Sequence, residues 1–175
     1  NNSNVEIIFV DDCCPDNSIG VCEQFLNDHK GNILFKAVIL KQAINQGQAV
    51  ARNAALKIAK GEYIGFIDSD DAIAPHYWLT VAKYIDKADN DIIEFGFKEF
   101  TTVIPSVDDK NAIELSSSNL NPFYTGFFVW TRLYSNSLLA TLSFPAGMIY
   151  EDLYFNIHAF AKAKTSIRLS NTLVF

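Results

Sequence analysis

No basic stripe runs through this chain: 14 Lys and Arg stand against 20 Asp and Glu in 175 residues, a formal net charge of −6. Binding to a nucleic-acid backbone depends on clustered Lys and Arg, so that class of partner is excluded. No apolar run approaches the ~20 residues that cross a bilayer, and no signal peptide opens the chain. Any membrane contact is therefore expected to be peripheral, on the inner face of the membrane. Cysteine is scarce: Cys13, Cys14 and Cys22 are odd in number, and the adjacent pair has neither zinc-site nor redox-motif spacing. They read as reduced thiols of a cytoplasmic protein. Internal repeats, low-complexity tracts and a domain linker are also missing. So is an initiator Met; the chain opens on Asn1-Asn2-Ser3-Asn4 directly before a strand and reads as a fragment.

What is present is 49% hydrophobic content in a length that suits one domain with a real core. Val5 to Val10 reads as a strand ending in Asp11-Asp12, and the Pro15, Asp16, Asn17, Ser18 cluster marks a turn into a helix whose apolar face is Ile19, Cys22 and Leu26. Ile33 to Leu40 is a second strand, Gln48 to Lys60 a second helix closed by Gly61, and Tyr63 to Ile67 a third strand. Strands alternating with helices at this rhythm predict an α/β fold with a mostly parallel central sheet, Rossmann-like and flanked by helices. A helix from Pro75 to Asp86 and a strand from Ile92 to Phe97 follow, then a polar stretch from Pro105 to Pro122 that reads as a long surface loop or hairpin insertion. Phe123 to Tyr134 is strand-like and aromatic, and a helix from Glu151 to Lys164 and a strand from Ser166 to Phe175 close the chain.

Three acidic points stand out, each after an apolar or aromatic run: Asp11-Asp12, Asp68-Ser69-Asp70-Asp71, and Glu151-Asp152. Ligands of open α/β sheets collect at the carboxyl ends of strands. Parallel first and third strands would bring the first two points to one sheet edge, a bed for a nucleoside diphosphate. Oxygen ligands of this kind suit Mg²⁺ or Mn²⁺, held by one or two carboxylates and completed by substrate phosphates. The bland alternative for the Asp68 to Asp71 run is a solvated turn capping the helix near Pro75, and for Glu151-Asp152 it is charge that complements a helix dipole. Between the first two points lies Asn45 to Asn53, a loop and helix start whose free N–H groups favour anions, and whose Arg52 can fork to phosphate or pair with Asp12 or Asp68. His29, His76 and His158 are scattered and read as packing or surface residues. Phe127, Phe128, Trp130 and Tyr134 read first as core, with stacking of an acceptor sugar as the alternative.

Val10-Asp11-Asp12 with Asp16 and Ser18, Asn45-Gln46-Gly47 with Ala51-Arg52-Asn53, Gly61-Glu62-Tyr63 with Asp68-Ser69-Asp70-Asp71, then Trp130, Arg132-Leu133-Tyr134, Phe144-Pro145 and Glu151-Asp152 appear in one order along nearly the whole chain. In this the sequence resembles the family 2 glycosyltransferases, inverting, metal-dependent enzymes of the nucleotide-diphospho-sugar transferase superfamily with the GT-A fold. The resemblance implies one catalytic domain over 1–175, with a nucleotide-binding half at about 1–97 and a small antiparallel and helical acceptor-side half at about 98–175. It also implies truncation at both ends, since the family's usual first strand is missing and relatives carry further acceptor-side residues beyond Leu173.

By the same resemblance, Asp12 contacts the base of a UDP-sugar donor, Asp11 shapes that loop, and Arg52 lies near the base or diphosphate. Asp68 faces the ribose and also belongs to the metal set, in which Asp70 is the ligand of the Asp-x-Asp element and Asp71 a supporting or alternate one. Asp152 is the general base toward a glycan or glycolipid acceptor, and Glu151 orients it. The implied function is hexosyl or N-acetylhexosaminyl transfer in polysaccharide or lipopolysaccharide synthesis. The family glycine after the paired aspartates is replaced by Cys13. A sugar nucleotidyltransferase is one competitor, though it needs a Gly-rich, Lys-containing triphosphate loop near its start that is not seen here. An inactive sugar-nucleotide-binding module is the other.

Overall fold

The computed structural model describes residues 5–85, 90–101, 114–116 and 126–175. They fall into two compact units, Asn1–Gly61 with Ser143–Glu151, and Glu62–Leu142 with Asp152–Phe175.

In the first unit the β-branched run Glu6–Asp11 forms β1 and Lys36–Lys41 forms β2, joined through helix α1, Ser18–Asp28. The two strands pair in parallel with Ile8 opposite Val38 and Asp11 opposite Lys41, the parallel crossover unit that the strand and helix rhythm predicts. Ile19, Cys22 and Leu26 are half-buried, as their spacing requires, while Phe25 on the outer side stacks on His29 with ring centroids 4.3 Å apart. Helix α2, Gln48–Leu56, begins at Gly47, whose φ of 88° is open only to glycine without strain. It ends four residues before the expected Lys60.

The second unit is built on a five-stranded sheet. Its strands are β3 (Tyr63–Gly65), β4 (Ile92–Phe97), β5 (Glu114–Ser116), β6 (Arg132–Ser135) and β7 (Ser166–Val174), in the order β3-β6-β4-β7-β5. Helix α3, Tyr77–Ile85, covers it through Tyr77 and Val81, which pack with Ile93, Phe95, Leu133, Leu169 and Leu173. Central β4 is buried from Ile92 to Phe95, the near-continuous apolar run of a strand covered on both faces, interrupted only by Glu94. A short 3₁₀ turn, Val129–Thr131, leads into β6, and helix α4, Asn136–Leu139, follows it, capped by the Ser135 hydroxyl on Leu138 N–H. Helix α5, Glu151–Lys162, precedes β7.

The α/β expectation holds, but the pairing is mixed rather than mostly parallel. Parallel ladders join β1 to β2 and β4 to β7, whereas β6 runs antiparallel to both β3 and β4, and β5 antiparallel to β7. The third strand takes the antiparallel β6 as its partner, with Ile64 opposite Tyr134. Side-chain periodicity is the same in either direction, so it cannot report strand polarity. The stretch from 105 to 122 lies outside the described residues except for β5. Among the described residues no helix is long and apolar enough to cross a membrane.

Candidate active site

Of the acidic points, Asp11 and Asp12 close β1. Asp11 Oδ1 accepts from Cys14 N–H at 2.9 Å, three residues on, which folds the loop back on itself. Asp12 does more: its two oxygens accept from the backbone N–H groups of Gln46 (3.0 Å) and Gly47 (2.7 Å), tying the loop after β1 to the start of α2. Each oxygen keeps a second lone pair, so this tie is compatible with a further contact to a ligand. Cys13 stands at φ 58°, in the left-handed region that disfavours any side chain. This is the position where the family pattern has glycine, and the backbone keeps the glycine conformation despite the substitution. Cys13→Gly is therefore expected to stabilise the chain by up to about 1 kcal/mol in urea denaturation, the relief of αL strain offset by the greater freedom of glycine when unfolded. An unchanged or lower midpoint would mean that Cys13 is not strained. The Cys14 thiol is pushed up by desolvation and then by Asp11 and Asp16, which keeps it protonated.

Arg52, on α2, pairs with Glu151, an acidic partner beyond the Asp12 and Asp68 that the sequence suggested: Nη1 donates to Oε1 at 2.9 Å, and both side chains are largely buried. Its guanidinium also lies 5.3 Å from the ring centre of Phe144. Next to it, Asn53 donates to the Phe144 carbonyl and accepts from the Phe144 N–H, both at 2.8 Å. Adjacent residues of one helix thus bind both ends of the segment 144–151. Asn53 had no role in the sequence reading; its only signal was its place beside Arg52 in the motif. A cavity of about 160 Å³, lined by Gln46 to Ala49, Gly147, Met148 and Glu151, opens at the start of α2. That is below the ~300 Å³ at which pockets begin to enclose a whole small-molecule ligand, so it suits a fragment such as a phosphate group.

In the second unit, the run Asp68 to Asp71 leaves β3 as a turn closed by Asp71 N–H on the Asp68 carbonyl at 3.1 Å. The chain does not pass directly into a helix at Pro75. Ala72 and Phe175 exchange backbone hydrogen bonds, both at 2.8 Å, Ala74 N–H donates to Leu173, and Ile73 bridges to Val174, so the end of β7 fastens the acidic turn. Helix α3 starts only at Tyr77. Asp70 is exposed, and Asp68 and Asp71 are half-buried. The Asp71 carboxyl is raised above its ordinary value by desolvation first and then by the negative charges of Asp68 and Asp70. Its Oδ2 is buried without a hydrogen-bond partner. An orphaned carboxylate oxygen beside two further carboxylates is the environment that a cation relieves. Among the described residues no three His, Cys, Asp or Glu side chains gather around one point. An ion here would be held by one or two of these carboxylates and by ligands from outside the protein, not by an all-protein cage.

Asp152 is in the first turn of α5. Oδ1 accepts from the Leu153 N–H at 2.9 Å, and its carbonyl accepts from Asn156 Nδ2 at 2.9 Å. Asn156 is fully buried and uses its whole capacity: Nδ2 also donates to the Phe127 carbonyl, while Oδ1 accepts from Tyr134 Oη (2.7 Å) and Arg132 Nη1 (3.2 Å). Arg132, also fully buried, places Nε and Nη2 on Glu94 Oε2 at 2.9 and 2.6 Å, Nη2 on the Gly126 carbonyl at 2.7 Å, and Nη1 on the Phe128 carbonyl at 2.8 Å. Arg168 Nε lies 3.3 Å from the other oxygen of Glu94. This network fixes both the turn that carries Asp152 and the segment from Gly126 to Phe128. Sequence reading registered Arg132 only as a motif letter, read Tyr134 first as the core residue it is, and missed Glu94 and Asn156 altogether.

An α/β domain with acidic residues closing β1, following β3 and opening α5 has the architecture of a GT-A glycosyltransferase domain. The family described as "Glycosyl transferase family 2" matches residues 1–132, and the chain belongs to it. It is 30% identical to the "Uncharacterized glycosyltransferase EpsJ" of Bacillus subtilis (strain 168), over 93% of this chain and 49% of that protein. It is 29% identical to poly(ribitol-phosphate) beta-N-acetylglucosaminyltransferase TarS of Staphylococcus aureus (strain Mu50), over 95% of this chain and 29% of that one. The crystal structure of S. aureus TarS in complex with UDP-GlcNAc superposes with a TM-score of 0.81 at 25% identity, covering 99% of this chain and 50% of that one. The chain thus spans about half the length of these relatives, or less.

Proposed function

We propose that the protein moves a sugar from a nucleoside-diphosphate donor, a UDP-sugar, to an acceptor hydroxyl with inversion, in the synthesis of a cell-surface glycan. The observation that carries this reading is the division of labour within Glu151-Asp152. Glu151 is committed to Arg52, whereas Asp152 binds only the N–H of its own helix through Oδ1, which leaves Oδ2 without a protein donor among the described residues. One of two adjacent carboxylates is thus neutralised and structural. The other remains available to take a proton.

Asp12 and the loop it ties down would receive the base, with Arg52 on the base or diphosphate side and Asp68 toward the ribose. Asp70, aided by Asp71, would hold a Mg²⁺ or Mn²⁺ ion. When bound, such an ion neutralises the charge that develops on the departing nucleoside diphosphate. Asp152 would accept the proton of the attacking hydroxyl as the new glycosidic bond forms on the face opposite the leaving group, and the first turn of α5 holds it in place through Asn156. The solved complexes of TarS with UDP and with UDP-GlcNAc support a uridine nucleotide as the donor's carrier.

A thermal-shift titration of the intact protein tests the donor half of this reading. UDP at about 100-fold its Kd should add about 2.7 kcal/mol of stability, a rise in Tm of about 5–10 °C for a domain of this size. The rise should depend on Mn²⁺, and Asp70→Ala should remove that dependence. The same shift in chelator and in Asp70→Ala would show the metal assignment to be wrong. No shift with any nucleoside diphosphate would remove the donor.

A further inference from the structure

We propose that Phe97, Phe128 and Trp130 form a stacking platform for a pyranose ring of the acceptor. This rests on the transferase reading above and names its acceptor class. Phe128 and Trp130 are stacked, with centroids 4.9 Å apart and planes 27° apart, and Phe97 stands edge-on to both at 5.5 and 4.9 Å. Phe97 and Phe128 are each 39% exposed, although Trp130 packs against the core. Water-exposed aromatic surface is costly, and mobile side chains would collapse to hide it.

Here they are prevented from collapsing. The Gly126 and Phe128 carbonyls are held by the buried Arg132 guanidinium, and the Phe127 carbonyl by Asn156. Gly126 has φ 81°, and a Cβ there would lie 3.1 Å from the Phe128 ring, so glycine makes the room that the ring occupies. A buried polar network in which every Arg132 and Asn156 donor is engaged thus holds exposed rings in one orientation, which is the preorganisation of a binding surface.

Two features select the occupant. The flat face of a pyranose with equatorial hydroxyls displays axial C–H groups, whose partial positive charge matches the negative face of an aromatic ring. An open-chain polyol has no such face. The two residues that follow Phe97 are one cation and one anion, Lys98 and Glu99, not the run of cations that a polyphosphate chain calls for. The same Asn156 side chain that holds Phe127 also holds the Asp152 carbonyl, so the platform and the proposed base belong to one rigid assembly.

Saturation-transfer NMR on the intact protein provides the test, with methyl β-D-glucopyranoside and N,N′-diacetylchitobiose as ring probes and ribitol 5-phosphate as the open-chain probe. The ring probes should receive saturation and ribitol 5-phosphate should not displace them. Phe128→Ala should weaken ring binding about three- to tenfold, the worth of one aromatic contact, and Phe128→Tyr should restore it. Leu79→Ala, an exposed change on α3, should leave binding unaltered. If Phe128→Ala loses its circular-dichroism signature, Phe97→Ala takes its place with the same expectation. Equal affinity in the alanine variant, preference for ribitol 5-phosphate, or no binding of either ring probe would overturn the proposal. Nucleoside-diphosphate release is read separately: its absence alongside ring binding would end the transferase reading and leave the platform standing.

Discussion

Asp152→Asn is expected to lower sugar transfer about 10²–10⁴-fold, the usual worth of a positioned general base. The substitution separates chemistry from structure unusually well at this position. The side-chain amide oxygen of asparagine can still accept from Leu153 N–H, and the hydrogen bond from Asn156 goes to the main-chain carbonyl, which the substitution leaves in place. The helix start therefore keeps its contacts and loses only the charge. If that charge served only to complement the α5 dipole, its removal would cost about 0.3–1 kcal/mol of stability and leave turnover intact. The two readings differ by orders of magnitude in one assay. Release of nucleoside diphosphate in the presence of acceptor, measured beside the urea midpoint, decides between them: a large kinetic loss at unchanged stability supports the base, and a small stability loss at unchanged turnover rejects it. Donor affinity, followed by the thermal shift with UDP, should be nearly the same in both proteins. A collapse of donor binding would assign Asp152 to the donor instead.

Arg132→Met is expected to destabilise the chain by about 3–5 kcal/mol, because it leaves Glu94 as a buried carboxylate whose main partner is gone and uncaps the Gly126 and Phe128 carbonyls. That is a large part of the ~5–15 kcal/mol by which an ordinary domain is stable. Adding Glu94→Gln to it removes the uncompensated charge, so the double variant should be more stable than Arg132→Met alone. Such a reversal is the signature of a coupled pair. Urea denaturation of the single and double variants gives the coupling directly. Additive losses would mean that Arg132 and Glu94 stabilise the chain independently, with Arg168 sufficient to neutralise Glu94.

The elements were largely legible in the sequence. The face Ile19, Cys22, Leu26 and the apolar runs of β1 and β4 report burial through spacing alone, because a side chain's direction follows from its position in a helix or strand. Boundaries were less so: α2 stops at Leu56 and α3 begins at Tyr77, since the pairing of Ala72 to Ala74 with the end of β7 takes residues that local propensity would give to a helix. The acidic points were legible as chemistry, because carboxylates following apolar runs are conspicuous. Their partners were not. Arg52 had three candidate counterions, and its pairing with Glu151, 99 positions away, is a contact that no local pattern encodes. Cys13 is the reverse case: the motif marked its position as glycine, and the left-handed backbone there shows what the glycine is for.

By itself, then, the sequence determined the alternation of strands and helices, the family to which they belong, and the places where carboxylates accumulate, all of which depend on residue type and short-range spacing. Only the tertiary structure decided that β6 lies antiparallel between β3 and β4, that Glu151 is neutralised while Asp152 is not, and that Arg132 and Asn156 are fully buried with every donor engaged. These outcomes depend on which distant segments meet once water is excluded. There, desolvation makes each polar group's partner a matter of several kcal/mol, and residue type along the chain does not say which partner that will be.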